Sequence, residues 1–468
     1  PFAKQQLEIE SVVSQVQEEK NRIGRYLDLG LLGMGGMGEV RKVRDMDLMR
    51  TLAMKIIHPE LMKKTNAIIR FIEEAQVCAQ LQHPNTVPVY ELGRLEDGRY
   101  YFTMKEIKGR ELTDLIFELH QASDENSWGI SNSGTSFRRL IQIFHQICET
   151  VAYSHSLGVV HRDLKPENVM LGGFGEVLVV DWGIAKVLGK SGTSEDVNGG
   201  ETVATHRSSE DAMATRMGVV AGTPIYMSPE QARGETSQVG THSDIYSLGA
   251  VLYEILSGNP PYKGAGAMDV LEQVRKGAPA ALIPQVGVEL MQTESESTSK
   301  IPLPLADICE CAMARNIEDR YASAKDLAQE VFDWLEGAQK REKGLAEIEK
   351  AQAVLDQIKE LENRAEQLWL EADRQFTNEG PASRTGWQIW QDQRALKDDI
   401  KHRHRRYRQT LQGALVYDGE LQEAHLHLAE LLIEEIFVAT ARGDYAQREQ
   451  LQRQFEAHLQ FCTSGDRI

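Results

Sequence analysis

The run HRDLKPEN, residues 161–168, crowds six polar or charged side chains between the apolar stretches GVV and VML. Further on, the apolar run VLVV stops at Asp181. Asp163, Asn168 and Asp181 together offer a base and two oxygen ligands. Magnesium takes hard oxygen ligands, usually one or two carboxylates with phosphate and water. An Asn and an Asp suit it, which leaves Asp163 to orient an attacking hydroxyl. Phosphoryl transfer asks a protein mainly for positioning and charge neutralisation, so these groups are chemically sufficient for it.

Two more segments could hold a phosphate. GMGGMGEV supplies Gly33, Gly35, Gly38 and Val40. Such a pattern fits a flexible turn, a dinucleotide-binding turn or a hairpin folded over phosphates. The dinucleotide turn needs a helix after its last glycine. Here EVRKVR follows and alternates like a strand, which favours the hairpin. Lys55 lies in the apolar run LAMKII and must find an anion or reach solvent. Glu74, in RFIEEAQVCAQL, sits at the polar edge of a helical apolar face and can pair with it. Its neighbour Glu73 is a rival about 100° round the helix.

The elements that position these groups are legible in outline. Residues 3 to about 21 read as a polar helix with a loose apolar stripe. From Tyr26 the chain reads as strand, glycine turn, strand and third strand, then a helix at 60–82 that ends before Pro84 and Pro88. VYELGRLEDGRYYFTMKEI reads as a hairpin turning at Asp97-Gly98. Helices are expected at 111–120, 137–157, 243–257, 267–275, 305–314 and 323–335. Residues 122–136 read as a polar loop. Residues 189–218, rich in Gly, Ser, Thr and charge, read as mobile. From 336 the chain is nearly all helix formers, with breaks at Asp418-Gly419 and Gly443-Asp444. That region reads as a helical hairpin or short bundle, weakly similar to tetratricopeptide-like helix pairs but without a clean 34-residue repeat.

With these pieces in order, the chain resembles a Ser/Thr protein kinase of the eukaryotic-like (Hanks) type common in bacteria. The matching motifs are GMGGMGEV, LAMK, HRDLKPEN, DWG, GTPIYMSPEQARG, SDIYSLGAVLYEILSGNPPY and RYASAKDL, in the family's order over roughly residues 26–335. The resemblance implies an α+β, two-lobed kinase fold with a β-rich N-lobe and a helical C-lobe, followed by an all-α region at 336–468 and preceded by a helical extension at 1–25. It implies ATP and Mg²⁺ as cofactors and protein substrates as partners. Gly33, Met34, Gly35, Gly36, Met37 and Gly38 would cover the ATP phosphates. Val40, Ala53 and Met170 would sandwich the adenine. Met104 would be the gatekeeper, with Lys105, Glu106 and Ile107 as the hinge. Lys55 would contact the α- and β-phosphates and pair with Glu74. Asp163 would be the base, Lys165 would steady the transferring group, and Asn168 and Asp181 would hold the metal. Glu230 would pair with Arg320, and Asp244 would brace the catalytic loop.

Lys165 and Thr223 resemble the Ser/Thr rather than the tyrosine branch. Trp182 departs from the usual Phe after the metal-binding Asp but remains a large apolar anchor, and Ser228 replaces the usual Ala before Pro229. The segment from Asp181 to Glu230 is long for the family. It carries Thr215, the first choice for an activating phosphosite, with Thr205 and Thr202 as further candidates. Arg162, beside the base, would receive such a phosphate. A catalytically silent pseudokinase or scaffold, acting through the helical C-terminal region, is the competing reading.

Composition narrows the partners. A net charge of −18 argues against general nucleic-acid binding, which needs a basic face. Five cysteines, with no further ligand near Cys309 and Cys311, fit a reducing, cytoplasmic setting better than disulfides or a metal site. No apolar run reaches the ~20 residues of a membrane span. The C-terminal helices read as a cap or coiled-coil spacer, a docking module, or a homodimerisation element serving trans-autophosphorylation. The basic run KHRHRRYR (401–408) reads as a solvated face or a patch for an acidic partner. His425 and His427 diverge on a helix and make a poor metal pair.

Overall fold

The computed structural model describes residues 22–183, 185–187, 224–283 and 300–462. The expected helix at 3–21, the segment 189–218 and residues Thr202, Thr205, Thr215 and Thr223 lie outside that set. The chain divides into two compact units, Pro1–Trp334 and Leu335–Ile468.

The first unit opens with six antiparallel strands: β1 (Arg22–Ile23), β2 (Tyr26–Met34), β3 (Gly38–Asp45), β4 (Arg50–Ile57), β5 (Val89–Arg94) and β6 (Tyr100–Lys105). Their order is β1-β2-β3-β4-β6-β5. Within the extension expected at 1–25, Arg22 and Ile23 are strand rather than helix and pair with Leu27 and Tyr26. Gly24, at φ +59°, makes that tight reversal, a conformation glycine adopts at little cost. One sheet face carries Tyr26, Val43, Leu52, Met54 and Ile56. The other packs Ile57 and Phe102 on Phe71 and Ala75 of helix α1 (Thr65–Gln80). Residues 68, 71 and 75 form the apolar stripe that seats α1 there.

The helical lobe contains α2 (Leu112–Ala122), α3 (Phe137–Ser156), α4 (Pro229–Ala232), α5 (Thr241–Ser257), α6 (Ala267–Lys276) and α7 (Leu303–Ala312). Helix α5 is buried on all sides from Ser243 to Leu256, with apolar residues round the helix and its polar Ser243, Asp244, Ser247 and Glu254 hydrogen-bonded. It stops at Gly258, a left-handed C-cap at φ +71°. Two small sheets frame HRDLKPEN. Strands β7 (Gly109–Glu111), β9 (Val169–Gly172) and β10 (Val177–Val179) form one, and β8 (Val159–Val160) with β11 (Lys186–Val187) the other. Residues 122–136 are more than a polar loop. Trp128 stacks on Phe137 at 4.0 Å between ring centroids, and its Nε1–H donates to the Lys300 carbonyl at 2.7 Å.

The helix expected to end at residue 335 does not end there, although the two units divide beside it. A single helix, α8 (Ala324–Glu379), runs through that position, because EGAQKREKG contains no proline and an isolated glycine is tolerated in a helix. In the second unit α9 (Arg384–Tyr417), α10 (Gln422–Ala441) and α11 (Tyr445–Leu459) follow. Buried positions recur every seventh residue: Ala351, Ile358, Ala365 and Ala372 on α8, and Gly386, Gln393, Ile400, Tyr407 and Ala414 on α9. That period fits an antiparallel, coiled-coil-like hairpin rather than short repeat pairs. The basic run is partly paired, with Lys401 on Asp398, Arg403 on Asp399, His404 on Glu362 and Arg408 on Glu435. His425 does not face His427; its Nδ1 meets that of His458 at 2.7 Å. No described helix is long and apolar enough to cross a membrane. The five cysteines are free thiols.

Candidate active site

The register of the large sheet gathers the expected nucleotide face. Gly33 pairs with Val40, Val40 with Lys55 and Lys55 with Phe102; Lys42 pairs with Ala53 and Ala53 with Met104. Directly opposed residues share a face, and so do residues two apart. Gly33, Val40, Ala53, Lys55 and Met104 therefore line one surface, with Lys42 and Phe102 beside them. Gly38 sits where an added Cβ would lie 2.1 Å from the Ile56 carbonyl oxygen, so only glycine fits. Two loop residues go elsewhere. Met34 is 71% exposed, and Met37 turns inward against Ile57, Phe71 and Phe102.

Lys55 reaches Glu74, not Glu73, with Nζ to Oε1 at 2.5 Å. Both side chains are largely buried. Burial alone would lower the Lys55 ammonium, but the facing Glu74 carboxylate more than offsets it, so the pKa rises and the lysine stays charged. Burial pushes the Glu74 carboxyl up against the opposing pull of Lys55. Asp181 also lies close, since both its Oδ1 and the Glu74 Oε2 come within 3.1 Å of where a Gly183 Cβ would stand.

HRDLKPEN is held from behind. The buried Asp244, near the start of α5, accepts the His161 N–H through Oδ2 at 2.7 Å and the Arg162 N–H through Oδ1 at 2.8 Å. His155 on α3 adds a third bond to Oδ2 at 2.8 Å. Burial would raise this carboxyl, yet the His155 bond and the Arg162 N–H hold it low. Arg162 takes φ +72°, a conformation such bonds must sustain. His161 Nδ1 accepts the Asp163 N–H at 3.3 Å, and Nε2 faces the Val180 carbonyl at 3.2 Å. The carbonyl can only accept, so the ring proton belongs on Nε2.

Asp163 and Asn168 are joined directly. Asn168 donates Nδ2–H to the Asp163 carbonyl at 2.8 Å, which leaves its side-chain oxygen for a cation. Lys165 Nζ stands 3.4 Å from Asp163 Oδ2. Val180 N–H donates to the Asn168 carbonyl at 2.9 Å and so brings the strand before Asp181 against the loop. Asp181 itself has φ +64°. Behind it Trp182, 2% exposed, lies 4.5 Å from the His161 ring and donates Nε1–H to the Val179 carbonyl at 3.3 Å. The donor set of Asn168 and Asp181, all oxygen with one carboxylate, fits magnesium. Among the described residues no cluster of three or more His, Cys, Asp or Glu forms another metal-binding set.

The hinge shows a feature the sequence did not indicate. The Glu106 side chain is nearly buried and bonds Lys42 at 2.7 Å, while Lys105 bridges to Glu176 at 3.1 Å. Met170, half-buried on β9, pairs with Leu178 and Glu111. Glu230 and Arg320 form a two-pronged pair at 2.9 and 3.0 Å with no side-chain exposure. Burial would raise the Glu230 carboxyl, but Arg320 pulls it down to about 2. His155 was not singled out by the sequence, since one more histidine on an amphipathic helix carries no distinguishing pattern.

Residues 26–332 match the family model of the protein kinase domain. Over 314 residues the chain is 34% identical to serine/threonine-protein kinase PknD of Protochlamydia amoebophila, covering 67% of this chain and 30% of that protein. It is 33% identical over 317 residues to serine/threonine-protein kinase PknB of Mycolicibacterium smegmatis, covering 67% and 43%. A probable serine/threonine-protein kinase PknB of Bifidobacterium longum is 34% identical over 322 residues, covering 67% and 40%. The chain thus spans less than half the length of these relatives.

Proposed function

The chain belongs to the protein kinase family, in its bacterial Hanks-type Ser/Thr branch, and from that premise we propose that it transfers the γ-phosphate of ATP to Ser or Thr hydroxyls of proteins. The observation that carries this reading is the Lys55–Glu74 pair facing a braced Asp163–Asn168 loop, with Asp181 at its edge. A silent scaffold would not need all of these groups, and nothing favours it.

The roles are those the family resemblance implies, and the geometry supports them. The sheet face of Val40, Ala53 and Met104 receives the adenine, with Met170 opposite, and hinge backbone groups at Lys105 to Ile107 meet its polar edge. The Gly33–Gly38 turn covers the phosphates. Lys55, held charged by Glu74, contacts the α- and β-phosphates. Asn168 and Asp181 hold Mg²⁺, which supplies charge neutralisation on the phosphate oxygens when bound. The substrate hydroxyl oxygen bonds to the γ-phosphorus while the bond to the β-phosphate oxygen breaks and ADP departs. The hydroxyl proton passes to the Asp163 carboxylate, and Lys165 steadies the charge on the transferring group.

Autophosphorylation at Thr215, Thr205 or Thr202, in trans within a homodimer, and a cytoplasmic location complete the proposal. The test is incorporation of phosphate from Mg-ATP into the protein itself and into a generic acceptor. Asp163→Asn abolishes it on this reading. Equal incorporation by both proteins would remove Asp163 from its role.

A further inference from the structure

The glycine turn is held by one residue outside the motif. His58 directly follows β4 and grips the turn twice. Its backbone N–H donates to the Met37 carbonyl at 3.1 Å, and its imidazole Nε2 meets the Gly35 carbonyl at 2.9 Å. A carbonyl oxygen only accepts, so Nε2 carries the hydrogen. Gly35 N–H donates across the turn to the Gly38 carbonyl at 2.9 Å. Beneath the tip, Met37 is anchored in the apolar cluster of Phe71 and Ile57. The tip also borders an open cavity of about 670 Å³, lined by Gly36, Met37, Leu61, Lys64 and Arg70. The turn is otherwise rich in glycine, whose backbone is the costliest to order.

We propose that His58 is a positioning residue for nucleotide binding, one that fixes the phosphate-covering turn through the Gly35 carbonyl; this rests on the proposed ATP site. The described peptides include no cis bond. In a trans peptide the N–H points opposite the C=O. With the Gly35 carbonyl turned to His58, the Gly36 N–H of the same peptide is directed away from it. One face of the turn is thus tied to the end of β4, and the other is preorganised as a donor surface for phosphate oxygens. The same strand carries Lys55, so the turn and the lysine share a common base.

The test compares His58→Ala with His58→Gln, whose terminal amide can replace the Nε2–H donor. Loss of one such bond shifts an equilibrium roughly fivefold to tenfold. His58→Ala is expected to raise the dissociation constant of a fluorescent ATP analogue with Mg²⁺, and the KM for ATP, by about that factor. Its kcat and melting temperature should stay near those of the parent, and His58→Gln should restore binding. Hydrogen exchange of the Gly35–Gly38 amides, measured without nucleotide, should accelerate in His58→Ala by a similar factor. Unchanged exchange, or equal impairment in both variants, overturns the proposal. A parallel fall of kcat and melting temperature also overturns it, because that is what a merely structural residue would give. If the parent binds no nucleotide, the ATP reading fails while the exchange data still decide the role of His58.

Discussion

Replacing Asp244 with asparagine probes the brace behind the catalytic loop. The carboxylate accepts three bonds, two at Oδ2 from His161 N–H and His155 and one at Oδ1 from Arg162 N–H, with no solvent exposure. Asparagine has one accepting oxygen. Its best placement keeps the two bonds at the Oδ2 position and turns the amide nitrogen toward Arg162, donor against donor. One charge-assisted bond worth about 1.5–3 kcal/mol is lost and a buried N–H is left unpaired. Arg162, at φ +72°, is the residue whose conformation depends on that bond, and Asp163 comes next. A net loss of about 3 kcal/mol corresponds to roughly a 100-fold fall in kcat. KM for ATP should move less than about threefold, because the brace touches neither the sheet face nor the glycine turn. Initial-rate kinetics with varied ATP, alongside thermal unfolding, make the measurement. A kcat within threefold of the parent, with a lowered melting temperature, would show that the brace supports the fold but not the geometry of Asp163.

Two further outcomes are expected. Arg320 lowers the Glu230 carboxyl from an ordinary 4.5 to about 2, equivalent to about 3 kcal/mol of stability. A depressed carboxylate contributes fully above pH ~4.5 and loses its contribution as pH falls to ~2. Urea midpoints of the parent should therefore drop through that window more steeply than those of Glu230→Gln combined with Arg320→Met, and parallel curves would refute the assignment. Trp182→Phe keeps the ring against His161 but loses the N–H bond to Val179. Its kcat/KM should fall roughly fivefold, and an unchanged value would show that the indole N–H contributes nothing to holding Asp181.

Legibility followed chemistry. Asp163, Lys165, Asn168 and Asp181 stood out because polar groups between apolar runs need a reason to be there. Lys55 stood out as a cation inside a strand, and Glu74 by its position on the helix. His58, His155 and the Lys42–Glu106 pair were hidden, because each acts through a partner that only the folded chain brings near. Met37 reads as part of a phosphate loop yet packs inward, since a large apolar side chain at the tip gains more from the α1 cluster than from solvent. Trp128 was passed over because the segment around it is mostly polar. The change of composition at residue 336 marks the division between units but not a helix end, because no helix-breaking residue stands there.

The seven-residue repeat of α8 and α9 raises a question of uniqueness. A strict repeat looks the same after a slide of one heptad, so the seam alone does not specify its own alignment. Two glycines supply the missing information. Gly386 lies where a Cβ would meet the Phe376 ring at 2.9 Å, and Gly344 where one would meet Leu421 at 2.8 Å. A slide of seven residues would set Phe376 against Gln393, or Leu421 against Ala351. Each clash of that kind costs about 1–3 kcal/mol. The hairpin therefore behaves like a lock with two wards, and an insertion of seven residues, though it preserves the pattern, would not preserve the fit.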